Sequence, residues 1–206
     1  MAGNTIYGGP TKRFFVSMLT RDIDLDDAIL DLIDNCIDGT MRSKTKSMSG
    51  LTPFDGFEAN LSITSEKFVI QDNCGGIPKT HIDDAFSLGR PSILKDNKLP
   101  TIGMYGIGMK RAIFKMGQQA MVKSVHTERS VKVEYSSDWL RPDNDSWDLP
   151  IEDVKSEKKK GVKITVTQLK PEISKSFGSS KFLNDLAVKI SEYFGYIMQK
   201  GFKITI

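Results

Sequence analysis

The stretch Asp31-Leu32-Ile33-Asp34-Asn35-Cys36-Ile37-Asp38-Gly39 lies inside a longer run, Asp24 to Arg42, whose spacing predicts one amphipathic helix. Leu25, Ala28, Ile29, Leu32, Ile33, Cys36 and Ile37 recur at the three- and four-residue intervals that line one helical face. Asp24 suits the cap, and Asp26 and Asp27 suit the positive end of the helix dipole. Beside the apolar face, Asp31, Asn35 and Asp38 fall at i, i+4 and i+7, a stripe of short polar groups bordering the buried side. Asp27 and Asp34 lie close to it. Like charges at helical spacing repel by roughly a few tenths of a kcal/mol per pair, and by more once desolvated. Two readings stand: a solvated acidic face, or a site whose repulsion a cation or ligand offsets.

Downstream, Phe57 to Thr64 and Lys67 to Gln71 read as two strands joined at Ser65-Glu66, with Phe68-Val69-Ile70 a buried run. The second strand opens directly into Asp72-Asn73-Cys74-Gly75-Gly76-Ile77-Pro78. Paired glycines at a strand end let backbone approach a ligand closely while the carboxylate faces it. Asp, Asn and Gly are also what an ordinary turn is made of. Lys79 to Leu88 reads as a helix. Gly89 to Thr101 has no periodicity and reads as a mobile loop. It runs into Gly103-Met104-Tyr105-Gly106-Ile107-Gly108-Met109-Lys110, spaced GxxGxGxK, with a helix expected from about Gly108. Glycines opening onto a helix start, with Lys110 and Arg111 in its first turn, offer free amides and positive charge, the makings of an anion site. The spacing is neither a Walker A loop nor a dinucleotide fingerprint.

Before the long helix, Thr11 to Leu19 reads as a short one after the Gly8-Gly9-Pro10 breaker, and Ser43 to Gly56 reads as loop. The C-terminal half is mostly sheet. Gln119 to His126 and Val131 to Tyr135 form an expected hairpin, and Asp138 to Ser156 is expected to be irregular or weakly extended, with Trp139 and Trp147 over an edge. Gly161 to Leu169 alternates cleanly as a strand. Phe177 to Ser180 reads as loop, Phe182 to Ile197 as a long amphipathic helix, and Phe202 to Ile206 as a terminal strand. The division expected is one domain over 1–200, with 201–206 opening a following one.

At 206 residues the chain can bury a real core, and 39% hydrophobic against 27% charged residues argues against both disorder and membrane spanning. A net charge of +3 does not call for nucleic acid, and Lys158-Lys159-Lys160 suits a solvated hairpin tip. Cys36 and Cys74 have neither a disulfide framework nor metal-ligand spacing, which fits a reduced, cytoplasmic protein.

In order and content the three stretches together resemble the Bergerat ATP-binding fold of the GHKL superfamily, which includes gyrase B subunits, MutL proteins, histidine kinases, ninety-kilodalton heat-shock chaperones and MORC ATPases. The MORC-like and microbial ATP-binding members are most similar in the Asp31–Gly39 helix and the Gly103–Lys110 segment. The resemblance covers nearly the whole chain. It implies an α/β two-layer sandwich, with a mixed, largely antiparallel sheet, helices on one face, and a lid. It implies ATP and Mg2+ as ligands, with Asn35 binding the metal and Asp31 at the general-base position. Asp38 would line the pocket, Asp72 would accept from the adenine amino group, and Gly76 and Ile77 would flank the base. Gly103, Gly106, Ile107, Gly108 and Met109 would wrap the phosphates, with Lys110 adding charge. Three departures stand out. The base position holds Asp in place of the more common Glu, Cys74 replaces a glycine, and Gly161-Val162 lacks the usual threonine, leaving that contact with Asp72 to water. Weaker ATP binding than the family norm is expected. The implied activity is slow ATP hydrolysis that drives lid closure and homodimerisation as a switch. The alternative is a nucleotide-binding sensor or scaffold with little turnover. A histidine-kinase role is disfavoured, since neither His81 nor His126 lies in a preceding two-helix phosphoacceptor segment.

Overall fold

Period-two alternation of apolar residues builds a sheet, and period-3.6 stripes cover it. The computed structural model describes residues 9–43, 50–87, 106–141, 143–144 and 146–206. The strands are β1 (Glu58–Ile63), β2 (Phe68–Asp72), β3 (Gly117–Val125), β4 (Ser130–Tyr135), β5 (Ile151–Asp153), β6 (Gly161–Leu169) and β7 (Lys203–Thr205). They form one seven-stranded sheet in the order β5-β4-β3-β6-β2-β1-β7. Its pairings are antiparallel except β1 with β7, which is parallel.

Register decides which side is buried. Phe68 lies opposite Val166, Ile70 opposite Ile164, and Val122 between Ile164 and Val133, so these share one face, and all are buried. One residue along, Gln71, Lys163, Lys123 and Lys132 form a row on the other face. Neighbouring like charges there are offset by Glu157 on Lys123 and Glu152 on Lys132. The helices layer over the apolar face.

Those helices are α1 (Lys12–Arg21), α2 (Leu25–Ser43), α3 (Ile82–Phe86), α4 (Gly108–Met116), α5 (Pro171–Phe177) and α6 (Ser180–Gln199). The apolar stripe of α2 is the centre of the core: Ala28, Ile29, Leu32, Ile33, Cys36 and Ile37 are all buried. From α6, Leu186, Ile190 and Phe194 join the same core. Lys189 of α6 reaches Asp26 and Asp27 at the start of α2, at 2.6 Å from Asp27 Oδ1, so those carboxylates serve the packing of two helices. No helix among the described residues is long and apolar enough to cross a membrane.

The architecture is the expected two-layer sandwich of a mixed, mostly antiparallel sheet with helices on one face. Several local expectations need correction. Pro171 at the first helical position, after an extended Lys170, starts a helix where none was anticipated before Phe177. The Asp138–Ser156 stretch, expected to be irregular or weakly extended, carries the short edge strand β5 against β4, in keeping with that reading. Trp139 is buried between Phe114 of the helix layer and Tyr135 at the end of β4, and Trp147 packs edge-on to Phe15. The expected helix from Lys79 begins as a 3-10 turn, Lys79–His81, behind Pro78, and only then becomes α3. Lys203–Thr205 pair in parallel with β1 as an edge strand of this sheet. The loop expected over Gly89 to Thr101 lies outside the described residues.

Candidate functional site

The polar stripe of α2 borders a cavity of about 310 Å³. Ile70 of β2 with Val162 and Ile164 of β6 form its floor, Ile77 and Pro78 one wall, and the start of α4 another. Asp31, Asp34, Asn35 and Asp38 all line it, and Arg42 continues the stripe one turn further. Asn35 is exposed at the rim, whereas Asp38 is buried.

Burial, with Asp31 and Asp38 beside it, pushes the Asp34 carboxyl up to about 6. Such crowding of carboxylates is relieved by a cation, and carboxylate and amide oxygens are ligands suited to a hard one such as Mg2+. The donor set therefore fits a divalent ion held chiefly at the Asn35 end.

Asp72, at the end of β2, occupies the apolar part of the cavity. Its Oδ1 accepts the backbone N–H of Cys74 at 2.7 Å and of Val162 at 3.2 Å. Burial raises its carboxyl to about 6 against the opposing pull of those two amides. The thiols of Cys36 and Cys74 stand alongside. Burial, then the Asp72 charge, pushes Cys74 up to about 12, so it is a neutral neighbour. At the position where the family's threonine is missing, the Val162 amide donates directly to Asp72. Gly161 makes this possible, because a Cβ there would come 2.0 Å from the Asp72 carbonyl.

The loop after Asp72 has other duties than those anticipated. Asn73 Oδ1 accepts from Glu58 N and its Nδ2 donates to Gly56 O, each at 2.8 Å, stapling the loop to β1. Gly76 has φ +78, and a Cβ on it would lie 2.4 Å from the Val125 carbonyl. Its glycine is therefore required by β3, and Gly76 is not among the cavity's lining residues. Ile77 does line it, its N–H anchored on Ser124 Oγ at 2.8 Å.

At the opposite end, Gly106, Ile107, Gly108 and Met109 line the cavity. Among the described residues, helix α4 has no side-chain cap and no acid in its first turn, an arrangement whose leading amides suit an anion. Gly108 lies against Asp31, where an added Cβ would sit 3.4 Å from Oδ2. The next residues diverge. Lys110 turns away: its side chain is 1% exposed, and its Nζ donates to the carbonyls of Ala85 and Ser87 at 2.8 and 2.7 Å. The charge expected from Lys110 comes instead from Arg111, whose Nη2 donates to Asp31 Oδ2 at 2.6 Å. Gly103 lies outside the described residues.

The structure thus brings Asp31, Asn35, Asp38, Asp72, Ile77, Gly106, Ile107, Gly108 and Met109 to one cavity and leaves Gly76 and Lys110 outside it. The sequence placed Asp34 only beside the stripe, gave Arg42 and Asp84 no part in a site, and took Arg111 only as first-turn charge. For Arg111 a signal existed, since a cation in a first helical turn opposes the dipole and so needs a partner.

Residues 23–172, well over half of the chain, match the family model for histidine kinase-, DNA gyrase B- and HSP90-like ATPases. The sheet and helix layers are those of the Bergerat fold. No curated protein matches the sequence.

Proposed function

We propose that this chain, which belongs to the histidine kinase-, DNA gyrase B- and HSP90-like ATPases, binds Mg-ATP in the α2 cavity and hydrolyses it slowly. The observation that carries this reading is the polarity of one cavity with two unlike ends. At the closed end, a carboxylate (Asp72) sits among Ile70, Ile77, Val162 and Ile164, as an adenine with an exocyclic amine requires. At the open end, Asp31 and Asn35 face the uncapped start of α4, as a metal-bound phosphate chain requires.

Each residue has a distinct task on this reading. Asp72 selects the amine of adenine over the carbonyl that guanine offers at that position. Asn35 gives an oxygen to the metal, and Asp34 and Asp38 add negative charge behind it. Mg2+ held there would supply positive charge for the phosphate oxygens. Asp31 accepts a proton from the water aimed at the γ-phosphate, and the amides from Gly106 to Met109 hold the phosphate oxygens. Catalysis is then positioning plus electrostatics. Closure of the segment before α4 over the phosphates, and dimerisation of the protein around bound nucleotide, complete the proposal by resemblance to the family.

The test is calorimetry with ATP, ADP and GTP, followed by phosphate release. ATP and ADP binding without GTP is expected, and equal affinity for ATP and GTP sinks the adenine assignment. Asp31→Asn is expected to retain ATP and lose on the order of 10²-fold in turnover, the usual worth of a positioned base.

A second reading has its own support. The Arg111 ion pair on Asp31 favours a nucleotide sensor that turns over little. Phosphate release indistinguishable between parent and Asp31→Asn, with ATP binding intact, selects the sensor.

A further inference from the structure

The Asp31 carboxylate is engaged by a neighbouring helix. Arg111 holds it through Nη2, and both side chains line the cavity. Two features make that pair exchangeable. The side chains are 32% and 26% exposed, so water screens the attraction and the pair is weak. The Nε of Arg111, in contrast, is buried and has no acceptor among the described residues, so Asp31 satisfies only part of the guanidinium fork. A group bringing several anionic oxygens into the cavity satisfies more of that fork than one carboxylate can. The first turn of α4 opposes the Arg111 charge but favours an anion set beside it.

We infer that Arg111 is the residue that tells a triphosphate from a diphosphate in this site, and that it does so by exchanging Asp31 for the terminal phosphate. The inference rests on the nucleotide reading. With the cavity empty or holding a diphosphate, the guanidinium keeps Asp31. A third phosphate competes for the guanidinium, takes the place of Asp31 on it and leaves that carboxylate facing water. No covalent bond changes; one ion pair replaces another. Arg111 is therefore a positioning residue for Asp31 as well as a phosphate ligand, and the carboxylate is released only when there is a terminal phosphate to attack.

The test is a double-mutant cycle on the whole chain, titrating Mg-ADP and a Mg-bound non-hydrolysable ATP analogue into the parent, Arg111→Ala, Asp31→Asn and the double variant. Arg111→Ala is expected to weaken the triphosphate about ten-fold or more, the worth of a lost charge-assisted contact, and the diphosphate by less than about two-fold. Asp31→Asn frees the guanidinium and is expected to tighten the triphosphate by about three-fold or more. That gain should vanish in the double variant. Equal weakening of both nucleotides by Arg111→Ala shows a merely structural pair and overturns the inference. So does an Asp31→Asn gain that persists without Arg111, since it then reports only relief of repulsion. If Arg111→Ala does not fold, Arg111→Gln, which keeps a polar stem without charge, takes its place in the cycle. A parent that binds neither nucleotide defeats the ATP reading itself, a result distinct from either of these.

Discussion

The backbone N–H of Val162 donates to Asp72 Oδ1 at 3.2 Å, joining the start of β6 to the end of β2 across 90 positions of sequence. With the Cys74 amide at 2.7 Å, it donates to the same carboxylate oxygen, and the carboxylate also lines the cavity. Asp72→Asn can keep its carbonyl on those two amides while turning an NH2 toward a ligand amine. The fold is expected to survive, with adenine nucleotides weakened by about 1.5–3 kcal/mol, the worth of a hydrogen bond to a charged group. Calorimetry beside thermal denaturation checks both halves. Loss of the fold together with binding points to a structural role for the carboxylate.

The same carboxyl sets a pH dependence. Burial holds Asp72 at about 6, and once protonated it offers a hydrogen where the adenine amine needs an acceptor. Affinity for ATP is expected to fall as pH drops through about 6 and to level off above it. A titration repeated at pH 5 and pH 7.5 measures this, and unchanged affinity removes Asp72 from the base-binding end.

Asn35 stands exposed at the rim, away from the apolar face of α2. Asn35→Ala is expected to leave the melting temperature nearly unchanged, since surface substitutions generally shift stability by less than about 0.5 kcal/mol. Mg-dependent triphosphate affinity should drop while metal-free ADP binding stays. Parent-like Mg-ATP binding by the variant would make the stripe an ordinary acidic face.

Asp34 carries a stability signature of its own. The fold raises its carboxyl from 3.8 to about 6, so the folded state binds the proton more tightly than the unfolded chain does. Its contribution therefore worsens as pH rises from about 4 to 6, and the full penalty stands above 6. Asp34→Asn is expected to stabilise the ligand-free protein at pH 7.5 by about 1 kcal/mol, after allowance for solvent screening, and to do nothing at pH 4. Denaturant titrations at the two pH values decide it; a gain equal at both has another origin.

Lys110 gives a contrasting expectation. Its ammonium ties down the carbonyls of Ala85 and Ser87 at the end of α3. Lys110→Met keeps the length of the stem and removes those bonds, so the ligand-free protein is expected to lose about 1–3 kcal/mol of stability. A residue serving only to bind phosphate would leave ligand-free denaturation unmoved.

Much of this site was legible in the sequence because its pieces are local. The α2 stripe, a buried strand ending at Asp72, and a glycine-rich run opening α4 each follow from periodicity and turn chemistry within about a dozen residues. Their order carried the family resemblance. Tertiary packing decided the rest. Adjacent helical residues point roughly 100° apart, so one of Lys110 and Arg111 faces the cavity and the other turns away. Nothing in a run of two cations says which. The seating of Gly108 against Asp31 sets that phase, sending Arg111 to the carboxylate and Lys110 to α3. The demand for glycine at 76 likewise comes from the Val125 carbonyl, and the hold on Asp72 from the Val162 amide. Both belong to strands far along the chain, and only the register of the folded sheet brings them within reach.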